Sequence, residues 1–388
     1  MKKVVDAQFA LNSVKKFVPQ FANLQLKNVS IERMTGITNQ TFRFTHVQEE
    51  IEPKDVIFRV FGKTCEGTFI NRNDETIVYQ AVADVGLGPK MLGYDNDIRV
   101  EEFLYSNVLK QEQMNTPLYR RKVAITLAEF HQIEIKQITR QPMLKQVYTD
   151  PSIIGAVEDK INKTELFTQE ELGLIEEMRR VWFSRSEHDL ILSFFPEDNN
   201  QEQILFCHND LLANNVLILN NDNSLRFIDF EYSHYNVRAF DIGNYFNESQ
   251  YDYNVSEEPY FKVAKEPITQ QDYQDFINHY ILGYLLSKNK IPFNKHQLAT
   301  DEEYFKQLLT QVDNEQYLKQ TKSILEQELL LGVCLSHFYW GIWALHMSKD
   351  PNICFDYVKF SYSRFQKYQE AKKKLIEARE NNKVVEAK

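Results

Sequence analysis

Apolar and polar positions alternate along residues 30–47 and 55–61, "SIERMTGITNQTFRFTHV" and "DVIFRVF". Period-two alternation rich in Ile, Val, Phe and Thr reads as β-strand, and "TGITN" supplies a turn inside the first stretch. From Arg72 to Val85 the period changes. Val78, Ala81, Val82 and Val85 recur at i, i+3, i+4 and i+7, one face of an amphipathic helix. "GLGPK" stops that helix, and "IRVEEFL" reads as one more strand. Thr116 and Pro117 then open a helix through "LYRRKVAITLAEFHQI", because proline in a first turn gives up no intrahelical hydrogen bond. Helical spacing prevails beyond this point. The exception is a pair of short strands, "NVLIL" and "LRFIDF", around the turn-forming "NNDNS". The expected order is therefore a strand-dominated first hundred residues with one helix, then a helix-dominated remainder carrying one polar hairpin. Two lobes follow, residues 1–103 and 104–388, joined near Glu101–Leu104, with a charged tail after Lys372 that is expected to fray.

Length and charge narrow the class. A chain of 388 residues is long for one core, which agrees with two lobes. The formal net charge of −10 argues against a nucleic-acid partner, since phosphate backbones need a basic face. The longest apolar run, "LLLGVCLSHFYWGIWAL" (Leu329 to Leu345), is short for a membrane span and carries Ser336 and His337 in its middle. It reads as a buried helix, with no stable membrane insertion. In "MKKVVDAQFA", Asp6 interrupts any apolar stretch that would make a signal peptide. Cys65, Cys207, Cys334 and Cys354 are too scattered for a zinc site or a disulfide framework. A cytoplasmic protein is expected.

The hairpin holds the candidate chemistry. His208, Asp210 and Asn215 fall in H-x-D-x-x-x-x-N, and Asp229 follows fourteen residues after Asn215 at the end of "LRFI". Phosphoryl transfer needs this inventory: one carboxylate to orient a hydroxyl and take its proton, an amide and a second carboxylate to hold Mg²⁺. The alternative is a hairpin whose Asn and Asp side chains only satisfy turn backbone. In the first lobe, Arg59 in the alternating strand is either a surface cation or a group aimed at nucleotide phosphates, with Glu75 on the next helix able to pair with it. Lys63 lies outside that strand. Trp340 and Trp343 share one side of a helix, and Tyr232, Tyr251, Tyr253, Phe355, Tyr357 and Phe360 are candidates to join them. Such rings are ordinarily core; the alternative is a cage for a quaternary ammonium, with Glu248 adding a carboxylate for the cation.

The segments "ITNQTFR", "GLGPK", "RVEEF", "HNDLLANNV", "FIDFEYSHYNVRAFDIGNYFNE" and "LSHFYWGIW" resemble, in order, the choline/ethanolamine kinases. The resemblance implies an α+β, bilobal protein-kinase-like fold. It also implies an ATP- and Mg²⁺-dependent kinase for choline and/or ethanolamine, opening a route to phospholipid head groups. Asp210 would be the catalytic base and Asn215 and Asp229 the Mg²⁺ ligands. Arg59, Glu75, Thr38, Asn39 and Glu102 would serve ATP. Tyr232, Glu248, Tyr253, Trp340, Trp343, Phe355 and Phe360 would line the amino-alcohol pocket, and Asp241 and His208 would hold loop geometry. "HNDLL", "FNE" and "WGIWAL" lean towards ethanolamine kinases and "YDY" towards choline kinases, so a dedicated ethanolamine kinase stands beside the choline reading, and a silent scaffold on the same fold is the remote one. The resemblance admits a homodimer.

Overall fold

A computed structural model describes residues 6–34, 39–62, 65–197, 200–312, 315–350 and 353–386. The first hundred residues form a five-stranded antiparallel sheet with spatial order Val29–Arg33, Gln40–His46, Asp55–Val60, Ile98–Glu102, Met91–Tyr94. Register explains its two faces, because side chains at paired positions point the same way. Phe42, Phe58 and Val100 stand opposite one another and are buried. They meet a helix at Ala7–Phe17, whose Ala10, Leu11 and Val14 face the sheet. That helix corrects the expectation of a single helix in this region. The opposite face carries Thr41, Arg59 and Arg99 in register, with Glu101 beside them.

The helix Arg72–Asp84 forms as the spacing predicts. Asn71 caps it by accepting from the amides of Asn73 and Asp74, and Asp74 and Glu75 in its first turn suit the positive end of the helix dipole. Gly86, at φ +71°, ends the segment in a conformation that glycine adopts without strain.

The remainder is more than helices and one hairpin. Val216–Leu219 and Leu225–Phe227 pair as expected, and Ser106–Val108 adds a third strand to them. Ile204–Cys207 pairs with His234–Val237 on the other side of the same loop. The helices Pro117–Phe130 and Arg238–Glu248 pack on these sheets; Gln270–Lys288 packs on the first of the two, Glu315–Met347 on the second, and Tyr357–Glu386 on Glu315–Met347. The Tyr357–Glu386 helix runs on through the segment expected to fray. Within the Trp-bearing helix, the stretch Leu318–Met347 contains an 18-residue apolar window that is 83% buried inside the protein. It crosses Arg238–Glu248 backbone to backbone. A Cβ on Gly332 would stand 1.8 Å from the Ala239 carbonyl oxygen, and one on Gly243 would stand 2.3 Å from the Gly332 backbone. Only glycine fits at that crossing.

Candidate active site

The loop after Ile204–Cys207 carries Asp210, and backbone amides fix it. The His208 and Asn209 N–H groups donate to Asp241 Oδ2 and Oδ1 at 2.6 and 2.7 Å. His131 Nε2 also lies 3.1 Å from Asp241 Oδ2, while its Nδ1 meets the Tyr280 hydroxyl at 2.7 Å. Asn209 sits at φ +65° and is held there by its side chain, which donates to the Tyr232 carbonyl and accepts from Asn236. Asp241 is thus the loop anchor that the sequence suggests. His131, Cys207 and Asp241 come close enough to hold a metal. Asp241 is already engaged by amides, however, and burial and Asp241 push the Cys207 thiol well above its usual range, so we read them as scaffold. His208 is buried, lies 3.0 Å from the Ile228 carbonyl, and is held below its usual pKa by burial. It is scaffold as well.

Asn215 Nδ2 donates to the Asp210 carboxylate at 2.9 Å and to its backbone carbonyl at 2.8 Å. Its amide oxygen is the atom left to ligate a cation. Asp229, at φ +67°, accepts from Arg59 Nη1 through Oδ1 at 3.1 Å. An amide and a carboxylate oxygen are hard donors that suit Mg²⁺. Burial, then the nearby Glu248, Asp229 and Glu231, push the Asp210 carboxyl well above the ordinary range. Tyr232 and Tyr339 lie within the same electrostatic neighbourhood.

Arg59 does not pair with Glu75, which corrects the expected contact. Arg59 Nε donates to Glu101 at 2.9 Å, and Glu101 also accepts from Arg99 at 2.9 Å. Arg99 donates to Glu75 at 2.8 Å, and Glu75 accepts from Arg72. Arg72 in turn lies 3.4 Å from Glu231. The sheet register is the reason: Arg59 stands opposite Arg99, which leaves Glu101 as its diagonal neighbour and gives Glu75 to Arg99. A chain of alternating charges therefore starts at Asp229 and returns to Glu231, two residues on. Burial would raise Glu75 and Glu101, but Arg99 and Arg72 hold the first below its ordinary range and Arg59 and Arg99 the second. Asp229, with 27% of its side chain exposed, is the open end.

Asn39 joins this chain, donating to Glu231 at 2.9 Å and accepting from the Gly62 amide and from Arg72. Glu102 ends the Ile98–Glu102 strand, and its carboxylate accepts from the Lys90 amide at 3.0 Å. Thr38 and Lys63 lie outside the described residues.

The aromatic candidates form one continuous run, joined where Phe355 meets Tyr357 at 4.8 Å. Tyr232, Trp340, Trp343 and Tyr357 make its first part, packed edge to face with centroids 5.1, 5.4 and 5.7 Å apart in succession. Trp343 Nε1 donates to the Tyr232 hydroxyl at 3.0 Å. From the segment before the Arg72–Asp84 helix, Cys65 lies beside Tyr232 and Trp343, and the Phe69 ring meets that of Tyr339 at 5.9 Å. In the second part, Tyr251, Tyr253 and Phe360 lie against Arg364, and Phe355 packs on Tyr253 and Phe360. Glu248 is not an open carboxylate: it accepts from Arg364 through Oε1 and from the Tyr253 hydroxyl through Oε2 at 2.7 Å. Sequence reasoning missed Arg72, Arg99, Glu101, Glu231 and Arg364. The first three were visible as charges in "RNDE" and "RVEEF"; Arg364 carries no local signal.

A match to the choline/ethanolamine kinase family covers residues 31–369. Among curated relatives, a choline/ethanolamine kinase of Rattus norvegicus is 29% identical, across 88% of this chain and 79% of the relative. A crystal structure of a choline kinase from Cryptosporidium parvum Iowa II superposes with a TM-score of 0.69 at 22% identity, over 96% of this chain and 97% of that one. A Plasmodium vivax ethanolamine kinase gives 0.64 at 19%, over 96% and 95%. The chain belongs to the choline/ethanolamine kinase family, and its fold is the protein-kinase-like one that its motifs implied.

Proposed function

We propose that the chain transfers the γ-phosphoryl group of ATP to the primary hydroxyl of choline, with ethanolamine as a second acceptor. The observation that carries this is the position of Asp210, which accepts from Asn215 and lies within electrostatic reach of Asp229, Glu231, Glu248 and Tyr232. Phosphoryl transfer passes through a loose transition state, so positioning and charge neutralisation supply most of the rate. Arg59 neutralises phosphate charge, and its link to Glu101 fixes the guanidinium plane. Asp210 holds the acceptor hydroxyl in line and takes its proton as the new O–P bond forms; the bond to the ADP oxygen breaks, and ADP leaves with that electron pair. Burial and the neighbouring carboxylates push the Asp210 carboxyl upward, and Asn215 holds its orientation. Asn215 and Asp229 would hold Mg²⁺, which supplies further neutralisation of phosphate charge.

Choline is favoured because Tyr232, Trp340, Trp343 and Tyr357 gather four rings in succession, and a trimethylammonium has no N–H to donate and is held by aromatic contact. The reading extends to phosphocholine as a phospholipid head-group precursor and to the cytoplasm as its compartment, the latter supported by free Cys65, Cys207, Cys334 and Cys354. A coupled ADP-release assay with choline, with ethanolamine and with buffer tests it. Choline-dependent release is expected, with a smaller ethanolamine rate. No release above buffer with either acceptor would sink the kinase reading, and release with ethanolamine alone would replace choline by ethanolamine.

A further inference from the structure

Arg364 lies on the Tyr357–Glu386 helix, and its side chain is fully buried. Its guanidinium carbon stands 4.1 Å from the centroid of Tyr251 and 4.9 Å from that of Phe360. Its Nη2 donates to Glu248 and lies 3.3 Å from the Tyr253 hydroxyl, and its Nη1 is 3.5 Å from His337 Nδ1. His337 does not supply a second charge, since burial and then Arg364 push it well below its usual range. The chain thus holds a cation of its own against rings suited to a ligand cation, next to the carboxylate that a substrate ammonium would seek.

We infer that Arg364 sets the head-group selectivity of the acceptor site by keeping Glu248 neutralised and fully hydrogen-bonded. This rests on the amino-alcohol kinase reading. A desolvated primary ammonium has three N–H donors, and each one left without an acceptor costs binding energy. A trimethylammonium has none and is held by ring faces. With the Glu248 oxygens committed to Arg364 and Tyr253, the site gives the primary ammonium little that it needs. Recognition passes to the rings, and the methylated cation gains.

Four full-length proteins decide it: the unaltered chain, Arg364→Gln, Glu248→Gln and the double variant. Calorimetry reads choline and ethanolamine affinities, with turnover measured in parallel. Arg364→Gln frees the carboxylate and should move the choline-to-ethanolamine affinity ratio about tenfold towards ethanolamine. Glu248→Gln leaves the guanidinium uncompensated beside the substrate and should weaken both ligands about tenfold or more, as KM rather than kcat. The double variant should recover that loss and bring the ratio to within about threefold of the starting value. Equal weakening of both ligands by Arg364→Gln, or a double variant no better than Glu248→Gln, overturns the inference and leaves the pair as helix cement. Should Arg364→Gln fail to fold, the comparison of Glu248→Gln with the double variant decides alone. Binding without turnover in the unaltered chain would defeat the kinase reading while leaving the selectivity ratios readable.

Discussion

The two sides of the site manage charge by opposite means. On the nucleotide side, Asp229, Arg59, Glu101, Arg99, Glu75, Arg72 and Glu231 neutralise one another in sequence, each fixed by the next. On the side we assign to the acceptor, the rings of Tyr232, Trp340, Trp343 and Tyr357 pack edge to face, and the ion pair of Arg364 and Glu248 is buried. Directional pairs orient a rigid, multiply charged ligand such as a triphosphate. Ring faces hold a round, weakly hydrated cation without fixing its rotation. The first arrangement depends on every member; the second tolerates partial loss.

In the proposed reading Asp210 is where the two meet, so the largest effect should come there. Asp210→Ala is expected to lower turnover at least about 10³-fold while ATP and choline binding change little. Near-normal ADP release from that variant would mean that neither side delivers its ligand to Asp210. Next in size is Arg99→Met, which touches neither ligand in this reading but leaves Glu75 and Glu101 buried with one partner fewer. A loss of about 3–5 kcal/mol in urea unfolding is expected. The KM for ATP should rise, and choline affinity should stay put. Matched changes in both affinities would show that the two sides are one unit.

Trp343→Ala probes the ring side. It should weaken choline about tenfold and ethanolamine distinctly less, and equal losses by calorimetry would make Trp343 packing alone. The smallest effect is a pH dependence. Glu75 and Glu101 are held below their ordinary value of 4.5, so the folded state binds their protons less readily than the unfolded chain does. Their stabilisation is therefore complete above that value and is lost as pH falls through the lower folded values. Unfolding midpoints followed from neutral pH to well below 4.5 should fall at the acid end, and fall less in Arg99→Met.

Spacing along the chain made one half of this legible. Asp210, Asn215 and Asp229 declare themselves because loop chemistry is local, and Trp340 and Trp343 because i, i+3 puts them on one side of a helix. The charge chain does not, since which carboxylate Arg59 meets depends on strand register, and Glu101 rather than Glu75 falls beside it. Arg364 meets Glu248 across 116 residues, through a packing of helices that no periodicity encodes. The Ala7–Phe17 helix was readable in Ala10, Leu11 and Val14, whose spacing suits a helix face, but it is short and lacks a strong apolar run. The long reach of the Tyr357–Glu386 helix was hidden by its charges, which read as a solvated tail.

One contact ties the halves together mechanically. The Gly243–Gly332 crossing leaves no side chain between two helices, so it acts as a fulcrum for Arg238–Glu248. One arm of that lever ends at Asp241, which grips the Asp210 loop, and the other at Glu248, which grips Arg364. At 1.5 Å of rise per residue, the arms span about 10 Å. A methyl group added at the fulcrum would tilt both ends in opposite senses, so catalytic loop and acceptor pocket would lose their alignment in a single stroke.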